Sequence, residues 1–182
     1  MKKSIIICAI FSSFMSLVSS QETKPNDRWL IKTQLFSGYN IGKDVAGFGY
    51  GAAVRCLYDF ETRFLGGPVF LGIESGFVSP MGFEKPRDDS RVDYSKMNYM
   101  VTSVVLEQNY PWLKHGFNIG TGLAYYHGVQ DLNSRAIGLI TNIGWFPIYK
   151  GKSVTPYITY RNDWVFDSMG TNMQSLSLGL NF

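Results

Sequence analysis

The segment Phe48-Gly-Tyr-Gly-Ala-Ala-Val-Arg-Cys-Leu-Tyr-Asp-Phe60 alternates between two kinds of side chain along its whole length. Its even-numbered positions are apolar or aromatic, and its odd-numbered positions are glycine, alanine, Arg55, Leu57 and Asp59. Successive side chains of a β-strand point to opposite faces. The segment is therefore predicted to be a strand with one bulky, apolar face and one face of small and charged residues.

The same two-sided period recurs through most of the chain. We predict eight strands, at about residues 29–39, 48–60, 69–77, 99–107, 117–125, 137–145, 154–164 and 175–182. In the segment 99–107 both faces carry apolar residues, so the sequence leaves its two faces unassigned. Segments of roughly nine to thirteen residues have the length that a tilted transmembrane strand needs.

Length and composition limit the possible classes of protein. With 182 residues and a formal net charge of +3, to which Lys2 and Lys3 contribute, the chain is one domain with no strong charge for binding nucleic acid. Residues 1–20 combine those lysines, an apolar stretch, and small residues at Val18 and Ser20, which predicts a signal peptide cleaved before Gln21. The mature domain is then 21–182, and Cys56 is its single cysteine, so no intramolecular disulfide is expected.

The composition of the second face decides between a soluble and a membrane barrel. A soluble barrel places its large apolar residues inside and many charged residues outside. Here the second face is mostly glycine, alanine, serine, threonine and asparagine, which suits a narrow lumen, and aromatic residues cluster near strand ends as membrane-interface belts do. The predicted fold class is an all-β, eight-stranded antiparallel up-and-down transmembrane β-barrel.

An even number of strands places both chain ends on the periplasmic side of such a barrel. The predicted extracellular loops are residues 40–47, 79–96, 128–135 and 166–171, and the predicted periplasmic turns are 61–67, 109–116 and 147–152. The longest and most charged connection falls on the outer side, as expected for an outer-membrane barrel.

The leader ending before Gln21-Glu22, the glycine and aromatic alternation, and the final Ser175-Leu-Ser-Leu-Gly-Leu-Asn-Phe182 carry a resemblance to a known family. The mature chain resembles the small bacterial outer-membrane β-barrels, which include OmpA/OmpX-type barrels and the porin-family domains of Bacteroidetes. The resemblance implies an outer-membrane location in a Gram-negative cell. It also implies that Leu176, Leu178, Leu180 and Phe182 form the assembly signal for the barrel-insertion machinery. It implies no single activity, because the family includes structural, adhesive, transport and enzymatic members.

Six charged residues are predicted to point into the lumen. They are Lys32, Arg55, Asp59, Glu74, Arg161 and Asp163. If the turn after Phe60 centres near Phe64, Arg55 and Glu74 lie roughly opposite each other. Charges in so narrow a lumen must pair or be hydrated. They therefore indicate a structural network that plugs the barrel, with a gated conduit for water or ions as the alternative.

Two further sets of residues suggest chemistry. His127 is predicted at the extracellular end of its strand near Asp131 and Ser134, so a lipid-modifying triad is conceivable, whereas His115 lies on the periplasmic side. Gly128 and Val129 depart from the His-x-Ser pattern of lipid A deacylases, so an interfacial polar histidine is the alternative. The loop from Glu84 to Asp93 contains charges of both signs. Its carboxylates Asp88, Asp89 and Asp93 could bind a divalent cation, and its basic residues could bind lipopolysaccharide phosphates. The alternative is a loop whose charges are simply solvated.

Taken together, the sequence predicts an outer-membrane barrel with a structural or surface-interaction, adhesion-like role. Its expected partners are outer-membrane lipid, lipopolysaccharide, the insertion machinery and an unidentified extracellular ligand. We expect no cofactor, no metal site and no enzymatic activity. A narrow channel and an outer-leaflet lipid-modifying enzyme are the alternatives.

Overall fold

A computed structural model describes residues 28–41, 45–80, 83–84, 98–112, 115–129, 135–148, 154–166 and 172–182. The predicted signal peptide and its cleavage site lie outside these ranges, as do most of the residues of the predicted outer loops. Within the described residues, no helix has the length and apolar character needed to cross a bilayer.

Nine strands occur in the described ranges. They are β1 (Trp29–Ile41), β2 (Val45–Phe64), β3 (Gly67–Pro80), β4 (Phe83–Glu84), β5 (Tyr99–Trp112), β6 (His115–Gly128), β7 (Arg135–Pro147), β8 (Thr155–Phe166) and β9 (Asn172–Asn181). The two-residue β4 pairs only with the beginning of β2, at Val45 and Ala46. The other eight correspond to the eight predicted strands.

The eight long strands form a closed antiparallel barrel. Their order is β1-β9-β8-β7-β6-β5-β3-β2, and a pairing between β1 and β2 joins the two ends of this sheet. Every long strand thus pairs with a neighbour on each side, which leaves the sheet without an open edge. The predicted eight-stranded up-and-down barrel is confirmed.

The register shows how strongly the strands are staggered. A path that steps from each residue to its directly opposed partner on the next strand, beginning at Tyr39 of β1, goes once around the barrel. It returns to β1 at Trp29, ten positions away from Tyr39. The residues on the path are Tyr39, Gln174, Asn162, Thr141, Thr121, Leu106, Leu71, Tyr58 and Trp29. With eight strands about 4.8 Å apart and about 3.3 Å per residue, this offset corresponds to a strand tilt of about 40°.

Alternation of burial assigns the two faces of every long strand. In β6 and β8, for example, exposed and buried residues alternate almost without exception. The structure also settles the segment that the sequence left open: Val101, Val105 and Glu107 of β5 point into the lumen, whereas Val104 and Leu106 are exposed on the outer face. A strand that is apolar on both faces thus contributes to the outer band and to the lumen.

The predicted turns at 61–67 and 109–116 are shorter in the structure. Strand β2 continues to Phe64 and turns at Leu65 and Gly66, and β5 and β6 extend to Trp112 and His115. The difference at β2 has a local cause, because a bulge between Asp59 and Arg63 interrupts the alternation on which the sequence prediction depends.

Several lumenal glycines lie where the next strand approaches too closely for a side chain. A Cβ at Gly72 would lie 1.9 Å from the carbonyl oxygen of Cys56 and 2.8 Å from Cα of Leu57. Both are backbone atoms, so the two strands would have to move apart. We expect Gly72→Ala to lower the free energy of unfolding by about 1–3 kcal/mol in urea titrations of the refolded barrel. Ser75→Ala, on the outer face of the same strand, should change it by less than about 0.5 kcal/mol; an equal loss in both variants would contradict this account.

Candidate functional site in the barrel lumen

Five of the six charged residues predicted to point inwards are buried in the lumen. Lys32, Arg55, Glu74, Arg161 and Asp163 are each exposed by 4% or less. They come from four strands (β1, β2, β3 and β8), and each occupies an inward position of the alternation that the sequence showed.

Asp59 does not join them. It is half-buried at the start of the β2 bulge, where its Oδ1 accepts a hydrogen bond of 2.7 Å from the backbone N–H of Glu61. Glu61 has a positive φ of 58°, so the aspartate supports a tight change in backbone direction. The sequence places Asp59 in the interior network, but it makes no hydrogen bond or ion pair with the other five residues, because it is the last regularly paired residue of β2 before the bulge, towards the hairpin end of the barrel.

Glu74 is the carboxylate that links two arginines. Arg55 donates to Oε2 from Nη2 at 2.6 Å and from Nε at 3.0 Å, and Arg161 donates to Oε1 from Nη1 at 2.8 Å. Gln34 adds a hydrogen bond of 3.1 Å from Nε2 to Oε2. Arg55 and Glu74 are directly opposed in the β2–β3 register, in agreement with their expected positions on the two strands.

Glu107 is a member of this network that the sequence analysis missed. Its carboxylate accepts hydrogen bonds from Lys32 Nζ, from Arg55 Nη1 at 2.8 Å and from Asn118 Nδ2 at 3.2 Å. It lies in the strand whose faces were left unassigned. The sequence nevertheless contains a signal for its inward position. Glu107 is the single charged residue in the segment 99–107, and a charge in a membrane strand is far less costly in the lumen than against lipid.

Asp163 ends the network on the other side. Arg161 donates to Asp163 from Nε at 2.7 Å and from Nη2 at 2.8 Å, and the hydroxyl of Tyr126 donates to Asp163 Oδ1 at 2.8 Å. The groups form a continuous chain of alternating charge, in the order Lys32, Glu107, Arg55, Glu74, Arg161, Asp163. Three cations balance three carboxylates, so the desolvation cost of each charge is offset by its partners.

A cluster of apolar side chains lies in the half of the lumen towards the β3–β5, β6–β7 and β8–β9 connections, and Asp163 and Ser103 are buried among them. Its buried members are Phe36, Ala53, Val78, Tyr99, Val101, Ala124, Tyr126, Ala136, Ile140, Val165 and Met173. The two parts of the lumen meet at Phe36, whose ring centroid lies 4.7 Å from Cζ of Arg161. A solute crossing the barrel would have to pass both the apolar cluster and the ion pairs.

The outer face carries an apolar band between two aromatic belts. The belt on the side of the chain ends contains Trp29, Tyr58, Phe60, Phe117 and Trp145, and the opposite belt contains Tyr39, Phe48, Tyr50, Tyr125, Trp164 and Phe166. Edge-on ring pairs occur in both, with centroids 4.9 Å apart for Trp29–Tyr58 and 6.2 Å for Tyr39–Phe48. Ten residues of a strand tilted by about 40° separate Trp29 from Tyr39, which gives a band about 25 Å high.

Of the remaining predicted residues, those that the structure describes lie on or near this outer face. Leu176 and Leu178 are exposed, and Leu180 and Phe182 are half-buried. His127 stacks on Tyr125 at a centroid distance of 6.5 Å, while Asp131 and Ser134, its supposed triad partners, lie outside the described residues. Asp88, Asp89 and Asp93 do so as well, and the described part of the chain contains no group of three acidic, histidine or cysteine residues suited to a metal ion.

The hydrogen bond of Tyr126 offers a test of the network at its end. Tyr126→Phe keeps the ring in the apolar cluster but removes the donor to Asp163, and a hydrogen bond to a charged group contributes about 1.5–3 kcal/mol. We expect a loss of that size in the free energy of unfolding, measured by urea titration in lipid vesicles. Tyr58→Phe is the control, since its hydroxyl accepts a hydrogen bond of 3.3 Å from Arg28 at the exposed rim of the barrel. Equal stability of Tyr126→Phe and the unchanged protein would show that this bond is not formed.

The fold and its filled lumen define a class: a closed, eight-stranded antiparallel β-barrel of the kind found in small outer-membrane proteins. Neisserial surface protein A has a similar structure, with a TM-score of 0.58, 12% sequence identity, and coverage of 85% of this chain and 96% of that protein. At this identity the likeness concerns the fold alone.

Two other solved barrels align over most of the chain with lower scores. The N-terminal β-barrel domain of Pseudomonas aeruginosa OprF has a TM-score of 0.41 and 18% identity, over 84% of this chain and 97% of that domain. Ail, the attachment invasion locus protein of Yersinia pestis, has a TM-score of 0.37 and 12% identity, over 85% and 97%. No protein-family model matches the chain, and no curated protein matches it either.

Proposed function

We propose that this protein is an exported outer-membrane β-barrel whose lumen is plugged by its own side chains and whose outer loops serve a structural or surface-interaction role. In this proposal the leader 1–20 directs export, and Leu176, Leu178, Leu180 and Phe182 are recognised by the barrel-insertion machinery. The proposal assigns no catalytic role to His127 and no cofactor to the chain.

The observation that carries the proposal is the contrast between the two faces of one closed sheet. The outer face exposes large apolar side chains such as Leu35, Ile73 and Leu178, each more than 60% exposed. The inner face holds six charged groups in ion pairs. Such an outer surface is far too apolar for water, whereas it is matched to the acyl chains of a bilayer.

The filled lumen argues for a plug over a conduit. The lumenal charges pair with one another at hydrogen-bond distance, and bulky side chains such as Phe36, Tyr126 and Met173 are buried in the same interior, so an ion or a chain of water molecules would have to displace them. With the interior occupied, the parts of the barrel left to meet other molecules are its rim, its outer loops and its lipid-facing surface.

Two measurements on the full chain test the proposal. In cell fractionation the protein should be recovered with the outer membrane, and it should migrate faster on a gel before boiling than after, as folded barrels do. In planar bilayers the refolded protein should give no steady single-channel conductance. Recovery as a soluble protein with no mobility shift would refute the membrane barrel, and a steady conductance would refute the plug in favour of a narrow channel.

A further inference from the structure

The outer face of the long strands carries almost no charge. Where the described strands pair regularly, Arg135 at the start of β7 is the one lysine, arginine, aspartate or glutamate that points outwards. The other charged residues of these strands face the lumen or belong to the end of β2 near its bulge. A charge on the lipid side of a membrane strand is costly unless it lies at the membrane surface, so the level of Arg135 along the barrel axis decides what it can contact.

Arg135 lies just beyond the aromatic belt on the side away from the chain ends. Ile137 is directly opposed to Tyr125 of that belt, and Arg135 is two residues further along β7 from the centre of the apolar band. At about 3.3 Å per residue and a tilt of about 40°, this places Arg135 about 5 Å beyond the belt. Each headgroup layer of a bilayer is about 5–8 Å thick, so Arg135 lies at the level of the lipid headgroups.

No counterion for Arg135 comes from the described part of the chain. Its side chain is exposed and forms no hydrogen bond or ion pair with a described residue. At the other rim of the barrel, the exposed Arg28 has such a partner, because a carboxylate oxygen of Glu61 lies 2.5 Å from its Nη2. The guanidinium of Arg135 is therefore available to an anion from the surrounding lipid.

His127 supplies a second hydrogen-bond donor beside Arg135. The two residues are directly opposed on β6 and β7, and the Cβ atoms of directly opposed residues are about 5 Å apart. The imidazole stacks on the ring of Tyr125 with 6.5 Å between centroids, which holds it at the belt. A guanidinium binds two phosphate oxygens through its planar fork, and an imidazole N–H donates to a third. The pair can thus hold one phosphate group at the barrel wall.

The surface next to this pair suits the acyl chains of a lipid that carries the phosphate. Towards the centre of the band follow Ile137, Tyr125 and Leu123, which are large, apolar or aromatic, and exposed. Acyl chains attached to a phosphate on Arg135 would lie along these side chains and bury part of their surface. A free phosphate ion would make no use of this apolar surface.

We propose that Arg135 and His127 form a phosphate-binding site for lipid A, the lipid anchor of lipopolysaccharide in the outer leaflet. Lipid A suits the site better than a zwitterionic phospholipid, because the ammonium group beside a phospholipid phosphate would repel the arginine. The site belongs to β6 and β7, and is distinct from the basic residues of the loop from Glu84 to Asp93. The inference depends on the membrane placement proposed above.

Energy transfer to a labelled lipid tests the site. The full chain is refolded into phosphatidylcholine vesicles with increasing fractions of lipid A that has a fluorescent acyl chain, and transfer from the tryptophans of the barrel reports the relative affinity. We expect Arg135→Gln to weaken binding of lipid A by about tenfold, the effect of losing a hydrogen-bonded charge. Arg63→Gln is the matched control, because it removes the same charge from an exposed arginine at the opposite rim and should leave binding unchanged. Equal losses in the two variants would overturn the proposal.

Two further comparisons identify the groups that bind. His127→Phe keeps a ring on Tyr125 but has no donor, so we expect a loss of about threefold. Lipid A without its phosphates should bind the unchanged protein no better than intact lipid A binds Arg135→Gln. Undiminished binding of this lipid, or equally strong competition by phosphatidylglycerol, would refute a site for lipid A phosphate.

The gel mobility shift, measured on every variant, separates this proposal from the proposed function. A shift without any preference for lipid A refutes the phosphate site alone, and no shift in the unchanged protein refutes the membrane barrel itself. If Arg135→Gln did not fold, Arg135→Lys would replace it, with a smaller loss expected because lysine keeps the charge but lacks the planar fork.

Discussion

Glu74→Ala is expected to lower the free energy of unfolding by about 3–5 kcal/mol, because it leaves two buried arginines without the carboxylate that they share. Glu74 accepts hydrogen bonds from Arg55 and Arg161, and all three side chains are exposed by 4% or less. The ion pairs of the arginines with Glu107 and Asp163 would remain, but the lumenal network would then contain three cations and two carboxylates. The measurement is a reversible urea titration of the barrel in lipid vesicles.

Two variants define what this result means. Glu74→Gln keeps the shape and a hydrogen-bond acceptor but removes the charge. If the balance of charges stabilises the barrel, this variant should also have a much lower free energy of unfolding. Glu61→Gln is the matched surface control, since the Glu61–Arg28 ion pair at 2.5 Å is more than half exposed and should contribute little. If Glu74→Ala and Glu61→Gln had the same effect, the lumenal network would be incidental to stability.

Leu178→Arg is expected to destabilise the barrel in a bilayer by about 2–4 kcal/mol, the cost of an arginine near the membrane midplane. Leu178 is 62% exposed and opposed to Leu35 and Ile158, which lie between the two aromatic belts. The same substitution on a water-facing surface would be nearly neutral. The experiment therefore tests the orientation of the outer face, on which the proposed function depends.

Leu65→Arg is the control for this substitution. Leu65 is 78% exposed at the turn of the β2–β3 hairpin, beyond the belt that contains Trp29 and Tyr58. An arginine there remains in contact with water or lipid headgroups and should change stability little. Equal stability of Leu178→Arg and Leu65→Arg in vesicles would contradict a lipid-facing band, whatever the topology of the sheet.

Local alternation was sufficient to predict much of this protein. The eight strands, the inward position of Lys32, Arg55, Glu74, Arg161 and Asp163, and the outward position of Leu176 and Leu178 all follow from a period of two. The opposition of Arg55 and Glu74 was expected from a turn centred near Phe64; the turn lies at Leu65 and Gly66, and the bulge between Asp59 and Arg63 shifts the register so that the two residues still face each other. Each of these properties depends on residues that are close in sequence.

The tertiary structure decided what alternation cannot encode. Lys32 meets Glu107 across 75 positions of sequence, a contact that requires closure of the sheet with an offset of ten residues. The same offset places Asn162 next to Thr141 and Gln174, between the two aromatic belts, and it places Asp59 near the hairpin end of the barrel, away from the other lumenal charges. The period of a strand assigns each side chain to a face. The position of that side chain along the barrel axis, and its partners across the lumen, depend on the stagger between strands. That stagger is determined by strand pairing around the whole barrel.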